Sequence, residues 1–326
     1  MDGFIVLVIL SHFFAKRFST LTYFFEHFGF VSFNIYIILS CRINEMIVYC
    51  GYGPSLVRQQ NVVITGGSRG LGKSLARSFV LRGDNVFITS RNEDTLNRTT
   101  NELRELNSNA LVYSVAGNVS SREHCELVKE SAVHHMGSID IWINNAGTNC
   151  FLSKPFDQFS ETEVCEIVET NILGTVQGSK VMIDQMNEQK HGMLVNVEGA
   201  GSNGFVTPNH AVYGMTKKGI THFTKSLMKE YESFEFNICT ISPGMVLTDM
   251  LLDDVANDKN KDVFNVICED SDYVSAFLVS RMLTASRHEN IRYLTFCRIL
   301  WLLLLGVFRK NRHFDKQGNR VDKNGK

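Results

Sequence analysis

Neither sign of charge dominates this chain: 33 Lys and Arg stand against 34 Asp and Glu, a formal charge of −1. No basic stripe runs through its central region, so nucleic acid is not an expected partner. The eight cysteines (Cys41, Cys50, Cys125, Cys150, Cys165, Cys239, Cys268 and Cys297) include no C-x-x-C and no metal-like pairing with histidine. That pattern excludes a zinc module, implies no metal, and reads as reduced, mostly packed thiols facing a reducing compartment. The absence of internal repeats and low-complexity tracts excludes a solenoid or a biased linker.

What is present is length and a change of composition. The 326 residues suit one large α/β domain with an extension better than two small domains. Residues 1–57 hold thirteen aromatics and six charged residues, whereas the chain from Asn61 to about Asp249 alternates strand-like and amphipathic stretches. The expected division is a hydrophobic targeting or membrane-associated segment at 1–57, a dinucleotide-binding domain at 58–297, and a C-terminal apolar helix with a basic tail at 298–326. Within the first segment, residues 4–15 (FIVLVILSHFFA) match the core of a signal sequence. Residues 28–41 are uncharged and are open to spanning, interfacial, cleaved or packed roles. The run at 299–308 (ILWLLLLGVF) is too short to span as a helix; an interfacial helix and a core helix both remain open.

Chemistry begins at residues 62–72. Val62-Val63-Ile64 reads as a strand buried on both faces, leading into TGGSRGLG (Thr65, Gly66, Ser68, Arg69, Gly70, Leu71, Gly72) and a helical pattern over 73–81. Strand, glycine turn and helix together let the backbone approach a pyrophosphate and meet its charge with unpaired amides. The second strand, 85–89, ends in Ser90-Arg91, where an NAD enzyme would carry an acidic residue for the ribose hydroxyls. No carboxylate stands there. Arg69 and Arg91 either clamp a 2′-phosphate or are solvated surface residues; the first reading favours NADPH over NADH. A third strand at 110–115 places Asn118-Val119 beside the adenine. A fourth at 139–143 ends in Asn144, Asn145, Ala146 and Gly147.

Tyr213 and Lys217 lie four residues apart, on one helix face. Bringing a phenol from about 10 to about 7 requires roughly 4 kcal/mol of preference for phenolate. An ammonium about 4 Å away at an effective dielectric of about 20 supplies that order. Alone the pair is more often an exposed coincidence; its neighbours give it meaning. Of ten histidines only His210 falls near it, and packing or solvation is the simpler account of that residue.

With TGGSRGLG, NNAG, Asn171 in TNILG, YGMTK, and SPGMVLT at 242–248 in this order, the chain resembles the short-chain dehydrogenase/reductase family over about residues 61–250. The resemblance implies a single doubly wound Rossmann-type α/β domain with a parallel sheet of about seven strands. It implies that Tyr213 protonates a carbonyl oxygen, that Lys217 tunes it and holds the nicotinamide ribose, and that Asn171 anchors a water relay to Lys217. Pro243, Gly244, Val246 and Thr248 would fix the carboxamide.

The family also implies a serine that polarises the carbonyl. Counting from Asn196 lands on Gly199, and counting back from Tyr213 lands on Ala200, so that serine is missing. Ser202 is the nearest hydroxyl, and either takes the place of the serine or is a loop residue. The strings IDIWINNAGTN, EGAGS, TPNHAVYGMTK, SPGMVLTDMLL, FNVICE, RYLTFCRILWLLL and RHFDKQG resemble the chlorophyll b reductase branch, across most of residues 61–318. That resemblance implies NADPH-dependent reduction of the 7-formyl group of chlorophyll b to 7-hydroxymethyl chlorophyll a. It also implies a plastid, thylakoid-membrane location, with residues 249–296 forming a substrate lid.

Two rivals stand beside it: a reductase of another apolar carbonyl (a keto-lipid, sterol or retinoid), and a non-catalytic NADPH-binding scaffold. The apolar ends make membrane association an expectation, with the endoplasmic reticulum as an alternative location. Self-association or a complex with a related reductase is expected by the same resemblance.

Overall fold

The structure is a computed structural model that describes residues 58–150, 153–248, 251, 261–285, 287–308, 312–315 and 321. The expectations placed on residues 1–57, on 252–260 of the lid and on the basic tail beyond 321 lie outside the described residues. The chain divides into two compact units, 1–55 and 56–326, and the second contains every element below.

In chain order these are β1 (Asn61–Thr65), α1 (Gly70–Arg82), β2 (Asn85–Ser90), α2 (Glu93–Arg104), β3 (Val112–Ala116), α3 (Arg122–Met136) and β4 (Ile141–Asn144). Then come α4 (Glu161–Val168), α5 (Gly174–Gln189), β5 (Met193–Val197), α6 (Ala211–Glu230), β6 (Asn237–Ser242) and β7 (Val246–Leu247). Last are α7 (Lys261–Ile267), β8 (Glu269–Asp270), α8 (Ser271–Leu283), β9 (Asn290–Arg292) and α9 (Phe296–Leu304). Seven strands form one parallel sheet in the order β3-β2-β1-β4-β5-β6-β9, as the family resemblance implied. β7 and β8 pair separately.

All five β1 residues are buried, because both faces of the sheet are covered. Val62 and Ile64 join Leu75 and Phe79 of α1, Leu96 of α2 and Leu278 of α8 on one face. Val63 joins Phe87, Trp142, Leu194, Val128 of α3, Met182 of α5 and Leu227 of α6 on the other. β1 lies between β2 and β4, so the strand order reverses there and opens a crevice at the carboxyl ends of the strands. Every candidate residue described below lies at or beyond those ends.

Two strands start later than the apolar runs suggest. Ala110 and Ile139 are buried, but their amides are engaged elsewhere: Ala110 N–H bonds Asn107 O in a turn, and Ile139 N–H donates to Gln189 Oε1. Burial extends past the ladder, which is why an apolar run overstates a strand. The run at 299–308 becomes the end of α9 and a 3₁₀ turn, Leu305–Phe308. Leu302 is buried, while Phe296, Leu303 and Leu304 are exposed. Nearby, Asn265 of α7 receives the amides of His313 and Phe314 and donates to Phe314 O, which fastens that segment to the domain. Among the described residues no helix is long and apolar enough to cross a membrane.

Candidate active site

The glycine turn is shaped by the absence of side chains. Gly66 has φ 65° and Gly70 φ 52°, in the left-handed region that glycine enters freely. At Gly72 a Cβ would stand 2.2 Å from Gly66 O and 2.4 Å from Asn145 Nδ2, so α1 packs directly on the loop it leaves. Ser68 is buried and its carbonyl accepts from Thr99 Oγ1 at 2.9 Å. Leu71 packs on the core, and Arg69, in extended backbone, is exposed.

α1 begins without a side-chain cap and without an acidic residue in its first turn. Helices α2, α3, α4, α8 and α9 are capped by Asn92, Ser121, Ser160, Asp270 and Thr295. α5 and α6 also lack a side-chain cap, but α1 is the helix that opens directly from the glycine turn after β1, where its amide ends and the positive end of its dipole fit a pyrophosphate.

At the end of β2, Ser90 O accepts from Gly117 N–H. Beyond it, Arg91 Nη1 pairs with Glu166 Oε1 of α4 at 2.9 Å, both side chains being exposed. Such a pair contributes about 0–1 kcal/mol, too little to withhold the guanidinium from a phosphate. Arg91, Asn118, Glu161, Glu166 and Glu169 line a surface cavity of about 500 Å³. Asn118 is exposed and its Oδ1 accepts from Ser120 N–H at 3.1 Å, while Val119 is buried against Gly174. Below, Thr89 Oγ1 bonds His124 Nε2 at 2.8 Å, and burial holds that imidazole below its ordinary pKa.

The NNAG segment is tied to the glycine turn. Thr65 Oγ1 accepts from Asn145 N–H and Ala146 N–H, both at 3.0 Å. Asn145 Nδ2 donates to Thr65 O at 2.9 Å and Gly66 O at 3.1 Å. Gly147 follows, so placed that a Cβ on it would lie 3.4 Å from Asn171 Oδ1 and 3.5 Å from Lys217 Nζ.

Asn171 lies in a π-helical turn, Glu169–Leu173, a form that recurs at functional sites. It is fully buried. Its Oδ1 accepts from Thr148 N–H at 2.8 Å, and its Nδ2 donates to Thr148 O at 2.9 Å and Thr216 Oγ1 at 3.0 Å. Thr216 Oγ1 in turn donates to Tyr213 O at 2.7 Å. Asn171 therefore fixes α6 against the loop after β4.

On α6, Tyr213 is half-buried and Lys217 is buried. Lys217 Nζ donates to Val197 O at 3.1 Å and lies 5.7 Å from the Tyr213 ring centroid. Burial pushes its pKa down to about 8, and the carboxylate of Glu198 opposes that shift. Gly199 adjoins the phenol: a Cβ on it would stand 2.6 Å from Tyr213 Oη and 3.1 Å from Lys217 Cε. Ser202, the nearest hydroxyl in the sequence, is buried. Its Oγ accepts from Gly199 N–H at 3.0 Å and donates to Lys217 O at 3.2 Å. Its one proton thus goes to the helix backbone, and the hydroxyl clasps the Gly199 turn to α6.

Past β6, Pro243 is buried and Gly244 has φ 72°. Val246 is buried in β7, and the Thr248 methyl would lie 3.5 Å from a Cβ on Gly70. The SPGMVLT segment therefore returns over the glycine turn.

The model of the short chain dehydrogenase family matches residues 60–259. The chain belongs to the short chain dehydrogenase family. Membership places it among oxidoreductases that bind NAD(P)(H).

Among its relatives is a probable chlorophyll(ide) b reductase, chloroplastic, of Arabidopsis thaliana. It is 41% identical over 279 residues, which are 80% of this chain and 56% of the relative. A chlorophyll(ide) b reductase, chloroplastic, of Oryza sativa subsp. japonica is 33% identical over 272 residues, 79% of each protein. The chain spans about half the length of the first of these. A solved short-chain type dehydrogenase/reductase from Mycobacterium ulcerans shares the fold with a TM-score of 0.66 at 20% identity. It covers 73% of this chain and 90% of its own.

Within this short chain dehydrogenase, sequence reasoning missed the polar layer beneath the site. Asn144 accepts from Trp142 Nε1 at 2.8 Å and donates to Asn196 Oδ1 at 2.9 Å; Asn196 donates to Thr224 Oγ1 at 2.9 Å. Asn144 and Asn196 are register partners in β4 and β5. The available signal was a polar residue within or at the end of an apolar strand, Asn144 closing β4 and Asn196 standing one residue before the end of β5. Glu166 and Thr216 were also missed, whereas Glu198 is the acidic residue that opens the EGAGS string.

Proposed function

We propose that this chain is an NADPH-dependent carbonyl reductase acting on the 7-formyl group of chlorophyll b and giving 7-hydroxymethyl chlorophyll a. The observation that carries the reductase reading is the junction of Tyr213 Oη, Gly199 and Lys217 at the end of β5. The substrate reading is supported by relatives named chlorophyll(ide) b reductase, one of which the chain covers over 79% of its length.

In the proposed reaction Tyr213 donates its hydroxyl proton to the formyl oxygen. Lys217 favours the phenolate left behind, and Asn171 with Thr216 holds the helix that carries both. The glycine turn and α1 would hold the pyrophosphate, Arg69 and Arg91 the 2′-phosphate, Asn118 and Val119 the adenine, and Val246 and Thr248 the carboxamide. NADPH supplies the hydride when bound. With no side chain at Gly199, the Tyr213 hydroxyl packs directly against the backbone that follows β5.

The plastid location is proposed from the same relatives, which are named chloroplastic. A thylakoid-membrane setting is supported by the exposed Phe296, Leu303 and Leu304 and by the apolar N-terminal sequence. Self-association or assembly with a related reductase belongs to the same proposal.

The test is incubation of the purified protein and NADPH with chlorophyll b in membranes, followed by chromatography of the pigments. The expected result is loss of chlorophyll b with equal gain of the 7-hydroxymethyl product. Turnover of long-chain aldehydes, sterol ketones or retinoids with chlorophyll b untouched would assign the rival substrate. Tight NADPH binding without any turnover would assign a scaffold.

Cofactor choice is testable at Arg91. Releasing it from its carboxylate partner by Glu166→Gln is expected to tighten NADPH binding two- to fivefold, corresponding to about 0.4–1 kcal/mol. NADH binding, which presents no 2′-phosphate, should not change. Calorimetric titration of both cofactors checks this, and an equal effect on both would remove Arg91 from the phosphate site.

A further inference from the structure

Glu198 is unexplained by the reaction as written. It follows β5 directly and is 4% exposed, in a place where an ionisable side chain costs more than an apolar one. Its backbone is already held, Glu198 N–H donating to Ile241 O at 2.8 Å, so the carboxyl is not required to end the strand.

The carboxyl faces the catalytic helix. Thr221 Oγ1 donates to Glu198 Oε1 at 3.1 Å and also lies 3.1 Å from Lys217 O. Lys217 Nζ hangs from the carbonyl of Val197, the residue before Glu198. The other groups around Lys217 bring no fixed charge: Tyr213 from its own helix, Gly147 from the loop after β4, Asn171 from the π-turn and Gly199 after β5. Lys218 is exposed, with Nζ 3.5 Å from Ser202 O.

We infer that Glu198 is a positioning residue that keeps Lys217 charged, its buried carboxylate, held by Thr221 against the lysine's own turn of α6, offsetting the hydration the lysine has lost. The inference rests on the reading of Tyr213 and Lys217 as the proton-delivering pair, yet it is measurable without substrate. The sign is fixed. A neighbouring carboxylate favours the ammonium, so removing it favours the neutral amine and lowers the pH at which Lys217 discharges. A discharged lysine no longer favours phenolate at Tyr213, and proton delivery weakens on the alkaline side.

Glu198→Gln keeps the size and the acceptor for Thr221 and removes only the charge. Carbon-13 NMR of ε-labelled lysine in the cofactor-free protein should show the Lys217 midpoint falling by about one pH unit. In the holoenzyme the alkaline limb of kcat/KM should move down by the same amount with KM little changed. Thr221→Val, which retains the charge, should produce a smaller shift. A Lys217 midpoint that is unmoved or raised in Glu198→Gln overturns the inference. Should that variant not fold, the carboxyl resonance of Glu198 in the unaltered protein decides: ionised at neutral pH supports it, protonated overturns it. The expected NMR shift in a protein that reduces no carbonyl would count against the proposed function and leave this inference standing.

Discussion

Tyr213→Phe is expected to lower single-turnover reduction by on the order of 10³, within the range for removing a positioned general acid, while NADPH affinity changes less than about twofold. The ring stays half-buried, and the backbone bond that fixes this turn runs from Thr216 Oγ1 to the Tyr213 carbonyl, which the substitution leaves in place. The lost atom is the hydroxyl beside Gly199. Thr65 and Asn145, which shape the glycine turn, bond each other. Binding and chemistry should therefore separate cleanly in a quenched-flow measurement with prebound NADPH. Reduction at the unaltered rate would remove Tyr213 as the acid.

How much of this was legible in the chain depends on what each feature needs. The strand, glycine turn and helix at 61–82 were readable because a buried parallel strand, a tight backbone approach and an uncapped helix start each constrain local sequence. The pairing of Arg91 with Glu166 was not, because 75 residues separate them and only the packing of α4 brings them together. Gly199 and Ala200 stand at the two counts where the family expects a serine, but what Ser202 does instead required coordinates. Ser202 donates its hydroxyl proton to Lys217 O, and a glycine packs directly against the phenol oxygen. The sequence argument also took the lysine's charge as given. In the folded protein the ammonium is buried, bonded to a carbonyl and pushed down to about 8, so its charge depends on what surrounds it. Tyr and Lys at four-residue spacing point to the proposed chemistry; the acidic residue of EGAGS was visible in the chain, but its place beside the lysine's helix was not.

Gly199→Ala is expected to reduce kcat/KM by on the order of 10², the cost of displacing a reacting group by about 1 Å. The new methyl would stand 2.6 Å from Tyr213 Oη, 3.1 Å from Lys217 Cε and 3.2 Å from Lys217 Cδ, all inside ordinary contact distance. The backbone of the turn is held by Ser202 Oγ and cannot retreat without breaking its bonds to Gly199 N–H and Lys217 O. The phenol and the lysine stem are side-chain ends and will move instead. Stability should thus change little, with thermal melting within a few degrees of the unaltered protein, while the acid is pushed off the carbonyl. Gly199→Ser makes the same collision, so restoring the hydroxyl that the family expects at this count should lower the rate and not raise it. Rates for both variants, measured with NADPH saturating, check the argument. Full activity in Gly199→Ala would mean that the phenol does not work from the position beside this glycine.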